Sequence, residues 1–252
     1  MATIDVLGEF INRLDEADAT AAEYERVLEA VQLDRLDANI SIKLSGFGLL
    51  LDQEHCYRLV EELCRAAARR GSFVRIDMED SGCTTDTLNI YRRLRAAGHT
   101  NLGVVLQAYL RRSMDDIEAL LPLSPNVRVC KGIYVEPEAI AFKDPDEIRA
   151  SFDAMVERLL GAKCYVGIAT HDPELVRSGE SLVRRLNLKP DAYEFQMLLG
   201  VAEDVRQRLI DSGHRLRVYV PFGAQWYAYS VRRLKENPRI AGYVIRKLLT
   251  GR

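Results

Sequence analysis

Residues 40–77 read ISIKLSGFGLLLDQEHCYRLVEELCRAAARRGSFVRID, a strand, a helix and a second strand. In Ile40–Leu44 the side chains alternate. Ser41, Lys43 and then Ser45 share one face, while Ile42 and Leu44 share the other. Across Asp52–Arg70 the period changes. Tyr57, Leu59, Val60, Leu63, Ala66 and Ala67 recur mainly at offsets of three and four, which predicts an amphipathic helix. Gly71 punctuates its exit, and Phe73–Asp77 resumes the strand pattern.

The same unit repeats in both directions. Candidate strands are Thr3–Leu7, Ile40–Leu44, Phe73–Asp77, Leu102–Leu106, Val127–Cys130, Cys164–Ala169, Ala192–Phe195 and Arg217–Val220, each followed by charge-rich amphipathic sequence. Strict alternation predicts a parallel sheet, and eight repeats predict a closed (β/α)8 TIM barrel of the α/β class. The 252 residues match the length of about 250 that such a barrel needs. No linker or low-complexity tract divides the chain, so residues 1–252 are expected to form a single domain. A last helix, ending at Pro238, is expected over the C-terminal face of the barrel. Residues 239–252 form an amphipathic tail with no assigned place.

Composition excludes several classes. A net charge of −2 gives no reason to expect nucleic acid. No apolar run approaches the ~20 residues of a membrane span, and no signal peptide is visible. Cys56, Cys64, Cys83, Cys130 and Cys164 contain no CxxC pair, which fits reduced thiols in a cytoplasm. The four histidines lack ligand spacing, so no metal site is expected.

Polar residues fall towards the strand C-termini, where barrels of this kind keep their chemistry. Arg75, Asp77 and Glu79 share a face, Arg128 lies mid-strand with Lys131 at its end, Glu194 pairs with Gln196, and Arg217 with Tyr219. Such a set is a polar pocket or, for some members, a ring of structural ion pairs. Beyond the last strand, Tyr229, Arg232, Arg233 and Glu236 become helical neighbours at offsets of three and four. Two arginines there can clamp a small carboxylate, or form a solvated face. No GxGxxG or Walker sequence is present. A dinucleotide would therefore rest on loops such as KGIY (Lys131–Tyr134) and ATHDP (Ala169–Pro173).

These pieces, in this order, resemble the catalytic domain of the proline dehydrogenase family, closest to its short monofunctional bacterial members. The resemblance runs through DVLGE (Asp5–Glu9), SIKLSGFGL (Ser41–Leu49), VRIDMED (Val74–Asp80), VLQAYL (Val105–Leu110) and NVRVCKGIY (Asn126–Tyr134). It continues through ATHDP, YEFQMLLG (Tyr193–Gly200) and RVYVPFGAQWYAYSVRRLKEN (Arg217–Asn237). It implies FAD-dependent oxidation of L-proline to Δ1-pyrroline-5-carboxylate, the first step of proline catabolism, with electrons passed to a membrane quinone through peripheral contact at the inner membrane face.

The resemblance also implies residue roles. Arg232 and Arg233, joined by Lys43, would hold the proline carboxylate. Tyr219 would pack on the substrate ring and hydrogen-bond to Asp77, and Tyr229 and Glu236 would complete the pocket. Asp77 and Arg128 are the expected catalytic residues, Arg128 near the flavin N5. Gln107 would contact the isoalloxazine ring. Lys131, Gly132, Ile133, Thr170 and His171 would line the ribityl–pyrophosphate portion, with Met78 and Gln196 also on the flavin side. FMN in place of FAD is not distinguished.

Three departures accompany the resemblance. Ile133 stands where the family usually has Ala, and Ser45-Gly46 where it often has Thr-Gln. The family also usually carries several helices ahead of the first strand, which here begins almost at Met1. Uncovered apolar surface and a homo-oligomer are the expected result. Two other readings remain open: a Schiff-base lyase or aldolase using Lys43, and an inactive flavin-binding subunit.

Overall fold

The computed structural model describes residues 1–223. Within them, eight parallel strands close into a barrel in sequence order: β1 (Ala2–Val6), β2 (Ala38–Ile42), β3 (Val74–Ile76), β4 (Leu102–Gln107), β5 (Val127–Cys130), β6 (Val166–Ala169), β7 (Tyr193–Leu198) and β8 (Leu216–Phe222). Closure is made by β8 on β1, where Thr3 pairs with Tyr219 and Asp5 with Pro221. Seven α-helices lie between the strands: α1 (Leu14–Leu33), α2 (Gln53–Arg69), α3 (Ser81–Ala96), α4 (Ser113–Leu120), α5 (Pro145–Gly161), α6 (Pro173–Arg185) and α7 (Glu203–Asp211). The expected TIM barrel is thus the observed fold. The last helix, with its placement over the C-terminal face, and the tail at 239–252 lie outside the described residues.

Local chemistry explains where the helices start. Asp52, Asp80, Asp144 and Asp172 stand at the N-caps of α2, α3, α5 and α6, and each side chain accepts a backbone N–H of the first turn. Helix α2 exits through Gly71 at φ 64°, in the left-handed region where glycine carries no steric penalty.

The strands present two faces. Outward residues such as Ile40, Ile42, Val74, Ile76, Val104, Val127, Ile168 and Phe195 are buried against the helices. Burial of each such side chain stabilises by about 1.5–3 kcal/mol. The inward face is polar. Every strand but β5 shifts by one to three residues at one or both ends from its expected bounds. β7 continues through Leu198 because its ladder with β8 extends to Leu198–Tyr219, and β6 begins at Val166 rather than Cys164.

Candidate active site

The barrel interior is filled by layers of side chains from neighbouring strands. In the lower layer, Glu194 accepts from Arg217 Nε at 2.7 Å and from the Tyr165 hydroxyl at 2.8 Å. Arg75, fully buried, donates to the carbonyls of Asn126 at 2.8 Å and Val104 at 3.1 Å. Burial, with Arg128 nearby, drops its guanidinium to about 9. Gly103 makes room for it, since a Cβ there would sit 2.4 Å from Arg75 Nη1. Arg75, Glu194 and Arg217 are therefore members of an internal polar ring rather than of the open face.

Asp77 is the hub of the upper layer. Its Oδ1 accepts from the Ser41 hydroxyl at 2.5 Å and from Arg128 Nη1 at 2.7 Å. Its Oδ2 accepts from the Tyr219 hydroxyl at 2.8 Å and lies 3.7 Å from Lys43 Nζ. Lys43 Nζ donates to Asp5 Oδ1 at 2.7 Å. Arg128 Nε donates to Gln196 Oε1 at 2.6 Å, and Gln196 Nε2 donates down to Glu194 at 2.6 Å. Gly167 gives that Gln196 side chain its space, since a Cβ would lie 2.5 Å from Nε2. The Arg128 guanidinium also lies over the Tyr219 ring, 5.1 Å from its centroid.

Charge states follow from this geometry. Burial works to raise the Asp77 carboxyl, but Arg128 and Lys43, with the bonds from Ser41 and Tyr219, outweigh it and hold it below its usual value. Burial works against a charged Lys43, but Asp5 and Asp77 outweigh it and raise the ammonium. Asp5 is raised, by burial first, with Lys43 opposing. Lys43 is therefore a buried ammonium held by carboxylates, which works against its use as the neutral amine of a Schiff base.

A second cluster forms at the ends of β5 and β6. Asp172 accepts from Lys131 Nζ and, at 2.9 Å, from Arg149 Nε. Burial opposes its charge, but these two bonds with the N–H of Glu174 take the carboxyl down to about 2. Thr170 is buried and its hydroxyl oxygen accepts the Asp172 N–H at 3.1 Å. His171 Nε2 accepts the Leu198 N–H at 2.9 Å. Burial, with Arg206, lowers this ring to about 4, so it is neutral with its proton on Nδ1. Gly132 sits at φ 103°, where a Cβ would meet the Tyr109 ring at 2.1 Å. Ile133 is half-buried beside it, Met78 lies in the hydrophobic core, and Gln107 Nε2 donates to the carbonyl of Glu79 at 2.9 Å.

The fold thus brings Lys43, Asp77, Arg128, Gln196 and Tyr219 into one hydrogen-bonded cluster, and joins Lys131, Thr170 and His171 through the Asp172 loop. Tyr229, Arg232, Arg233 and Glu236 lie outside the described residues. Asp5, Arg149 and Asp172 were not singled out from sequence, whereas Ser41 was visible there only as a member of the polar face of its strand. For Asp5 the available signal was its place two residues after Thr3 on an alternating strand.

The residues fit a flavin nucleotide. Arg128 Nη2 is buried with no hydrogen-bond partner among the described residues, a donor left for a ligand acceptor. Lys131 and the Nδ1 proton of His171 are donors of the kind that phosphate and ribityl oxygens take.

A family model described as proline dehydrogenase matches residues 1–246. The chain belongs to the proline dehydrogenase family. It is 36% identical over 248 residues to Proline dehydrogenase 1 of Bacillus subtilis subsp. natto, covering 98% of this chain and 82% of that protein. It is also 36% identical over 257 residues to the Proline dehydrogenase of Deinococcus radiodurans, covering 98% and 81%. Among solved structures it is similar to proline utilization A of Bdellovibrio bacteriovorus inactivated by N-propargylglycine. That match has a TM-score of 0.86 at 25% identity, over 94% of this chain and 30% of the other. This proline dehydrogenase family member therefore spans under a third of that longer protein, and the match concerns only the part they share.

Proposed function

We propose that this chain oxidises L-proline to Δ1-pyrroline-5-carboxylate, with FAD as the resident cofactor and a quinone as the final electron acceptor. When bound, FAD supplies the two-electron acceptor. The observation that carries the reading is Arg128, fixed by Asp77 on one side and Gln196 on the other, with Nη2 left over in a buried site. A fixed cation at a strand end favours electron density on an adjacent acceptor. Gln107, Lys131, Gly132, Ile133, Thr170, His171, Met78 and Gln196 serve the cofactor side.

Charge balance supports this reading of the substrate side. Asp5, Lys43, Asp77 and Arg128 carry two charges of each sign, so the described cluster is neutral with both carboxyls ionised. An incoming carboxylate needs more positive charge, a role this reading gives to Arg232 and Arg233, which lie outside the described residues, together with Lys43. Tyr219, its hydroxyl locked on Asp77, presents its ring for packing on the pyrrolidine, with Tyr229 and Glu236 completing the pocket. Orientation of this kind matters more to hydride transfer than a strong base does. Quinone reduction would bring the chain to a bilayer peripherally. Among the described residues no helix is long and apolar enough to cross one.

The test is optical. The purified protein, supplied with FAD, should show visible flavin bands that bleach when proline is added without oxygen. N-propargylglycine should abolish that bleaching after incubation. A protein that retains FAD yet shows no spectral change with proline would overturn the proposal.

A further inference from the structure

Glu79 is a charged residue that the mechanism above does not use. It lies three positions beyond β3 and is fully buried. Burying a carboxylate opposes folding, and burial raises this carboxyl to about 7 against the opposing pull of Ser45 and Lys43, but both of its oxygens have hydrogen-bond partners. Oε1 accepts the Ser45 N–H at 2.9 Å, and Oε2 accepts the Ser45 hydroxyl in a very short bond. The Ser45 oxygen in turn accepts the Phe10 N–H at 3.0 Å. One carboxylate therefore fastens the loop after β2 and, through Ser45, the loop after β1.

The two loops are in backbone contact at the same point. A Cβ on Gly46 would lie 2.9 Å from the Gly8 carbonyl oxygen, so only glycine allows this approach. On its other side, the Glu79 main chain offers its carbonyl to Gln107 Nε2 at 2.9 Å. The ends of β1, β2, β3 and β4 thus converge on one residue. The other charged groups facing Glu79 are Lys43, just past the end of β2, and Glu9 from the loop after β1. Cys56 of α2 and Cys83 of α3 also face it, but burial pushes both thiols up to about 12 and keeps them neutral.

We infer that Glu79 is a positioning residue for this half of the active-site rim, setting the β1 loop through Ser45 and aiming Gln107 through its own carbonyl. The Gln107 part rests on the functional reading above, in which that side chain faces the flavin. Both donors that meet the carboxylate come from Ser45, one from its backbone and one from its hydroxyl. A glutamine at this position fills the same volume but turns an NH2 group towards the Ser45 hydroxyl. The bridge weakens while the packing is kept.

The experiment uses the full chain with Glu79→Gln and Ser45→Ala. Phe10, 41% exposed at the tip of the tethered loop, is a chymotrypsin site that reports release of the tether. Cleavage after Phe10 should rise about tenfold in both variants, the change expected when a net hydrogen bond of the folded state is lost. In flavin-loaded protein, Glu79→Gln should also shift the flavin redox equilibrium by about tenfold, or about 30 mV for a two-electron couple. Ser45→Ala keeps the backbone bond and should leave the potential in place. A Glu79→Gln variant with wild-type cleavage and wild-type potential overturns the inference, and a lowered melting temperature with both unchanged makes Glu79 structural only. A wild-type chain that takes up no flavin overturns the functional reading and the Gln107 part with it, and the cleavage arm then decides the loop part alone.

Discussion

Replacing Asp77 with Asn tests the hub directly. The aspartate accepts from Ser41, Arg128 and Tyr219 at 2.5, 2.7 and 2.8 Å, and Lys43 stands 3.7 Å away. Asparagine keeps one acceptor oxygen but turns an NH2 group towards either Arg128 or Tyr219. It also removes the negative charge that compensates the buried guanidinium. Breaking one side of a buried pair costs about 3–5 kcal/mol, a large share of the roughly 5–15 kcal/mol that holds a domain together. Urea unfolding of the flavin-free protein, followed by circular dichroism, measures it. A second substitution, Arg128→Gln, made on top of Asp77→Asn should cost far less than Arg128→Gln alone, because the uncompensated charge leaves with it. The wild type also predicts a sign with pH. The Asp77 carboxyl is held below its ordinary value of 3.8. Its contribution is therefore complete above that value and lost as pH falls through the lowered one, and the variant should lack this acid limb. A loss below about 1 kcal/mol, or single-variant losses that add within about 0.5 kcal/mol, would refute the pairing argument.

Glu79 and His171 should oppose one another in mild acid. Burial raises the Glu79 carboxyl from 4.5 to about 7, so its contribution is full below 4.5 and lost as pH rises through about 7. His171 is depressed from 6.5 to about 4, so its contribution is full above 6.5 and lost as pH falls through about 4. Glu79→Gln should therefore leave a stability that climbs with pH between about 4.5 and 6.5, by up to about 1.4 kcal/mol per pH unit. A flat profile in that variant would contradict the His171 shift, and a wild-type profile that climbs as steeply as the variant's would contradict the Glu79 shift. Gly132→Ala forces a β-carbon to within 2.1 Å of the Tyr109 ring at φ 103°. It should cost about 1–3 kcal/mol and lower the flavin retained per chain, and full retention on gel filtration would show the loop is not at the cofactor. Arg232→Met or Arg233→Met should cut kcat/KM for proline by roughly 2–5 kcal/mol of transition-state stabilisation while flavin content stays at the wild-type level. Loss of flavin with unchanged kinetics per bound flavin would reverse the assigned roles.

Much of the fold was legible in short stretches. The change of period between Ile40–Leu44 and Asp52–Arg70 is a local property, and so is an aspartate opening a helix or Gly71 closing one. Eight such alternations leave few ways to bury every apolar stripe, so the barrel follows from counting them. The inward polar residues were also visible, because alternation puts Ser41 and Lys43, or Arg75 and Asp77, on one face. Their division into two layers was not visible. Arg75, Glu194 and Arg217 looked equivalent to Asp77 and Arg128 in sequence, yet they form a lower ring. Neighbouring strands are offset in register, and Gly103 and Gly167 open space at particular levels.

By itself, then, the sequence determined the elements, their order, the closed parallel architecture and the family resemblance, because these depend on residues a few positions apart. Tertiary structure alone decided that Asp5, Lys43, Asp77, Arg128 and Tyr219, drawn from five different strands or their ends, share one buried cluster. It also decided which of these groups hold their charge. The reason is that both outcomes depend on distance and desolvation across the barrel. A shift of one residue in any strand turns its inward side chains outward, and a carboxylate such as Asp77 keeps its charge in the interior only where its partners lie within a few ångströms.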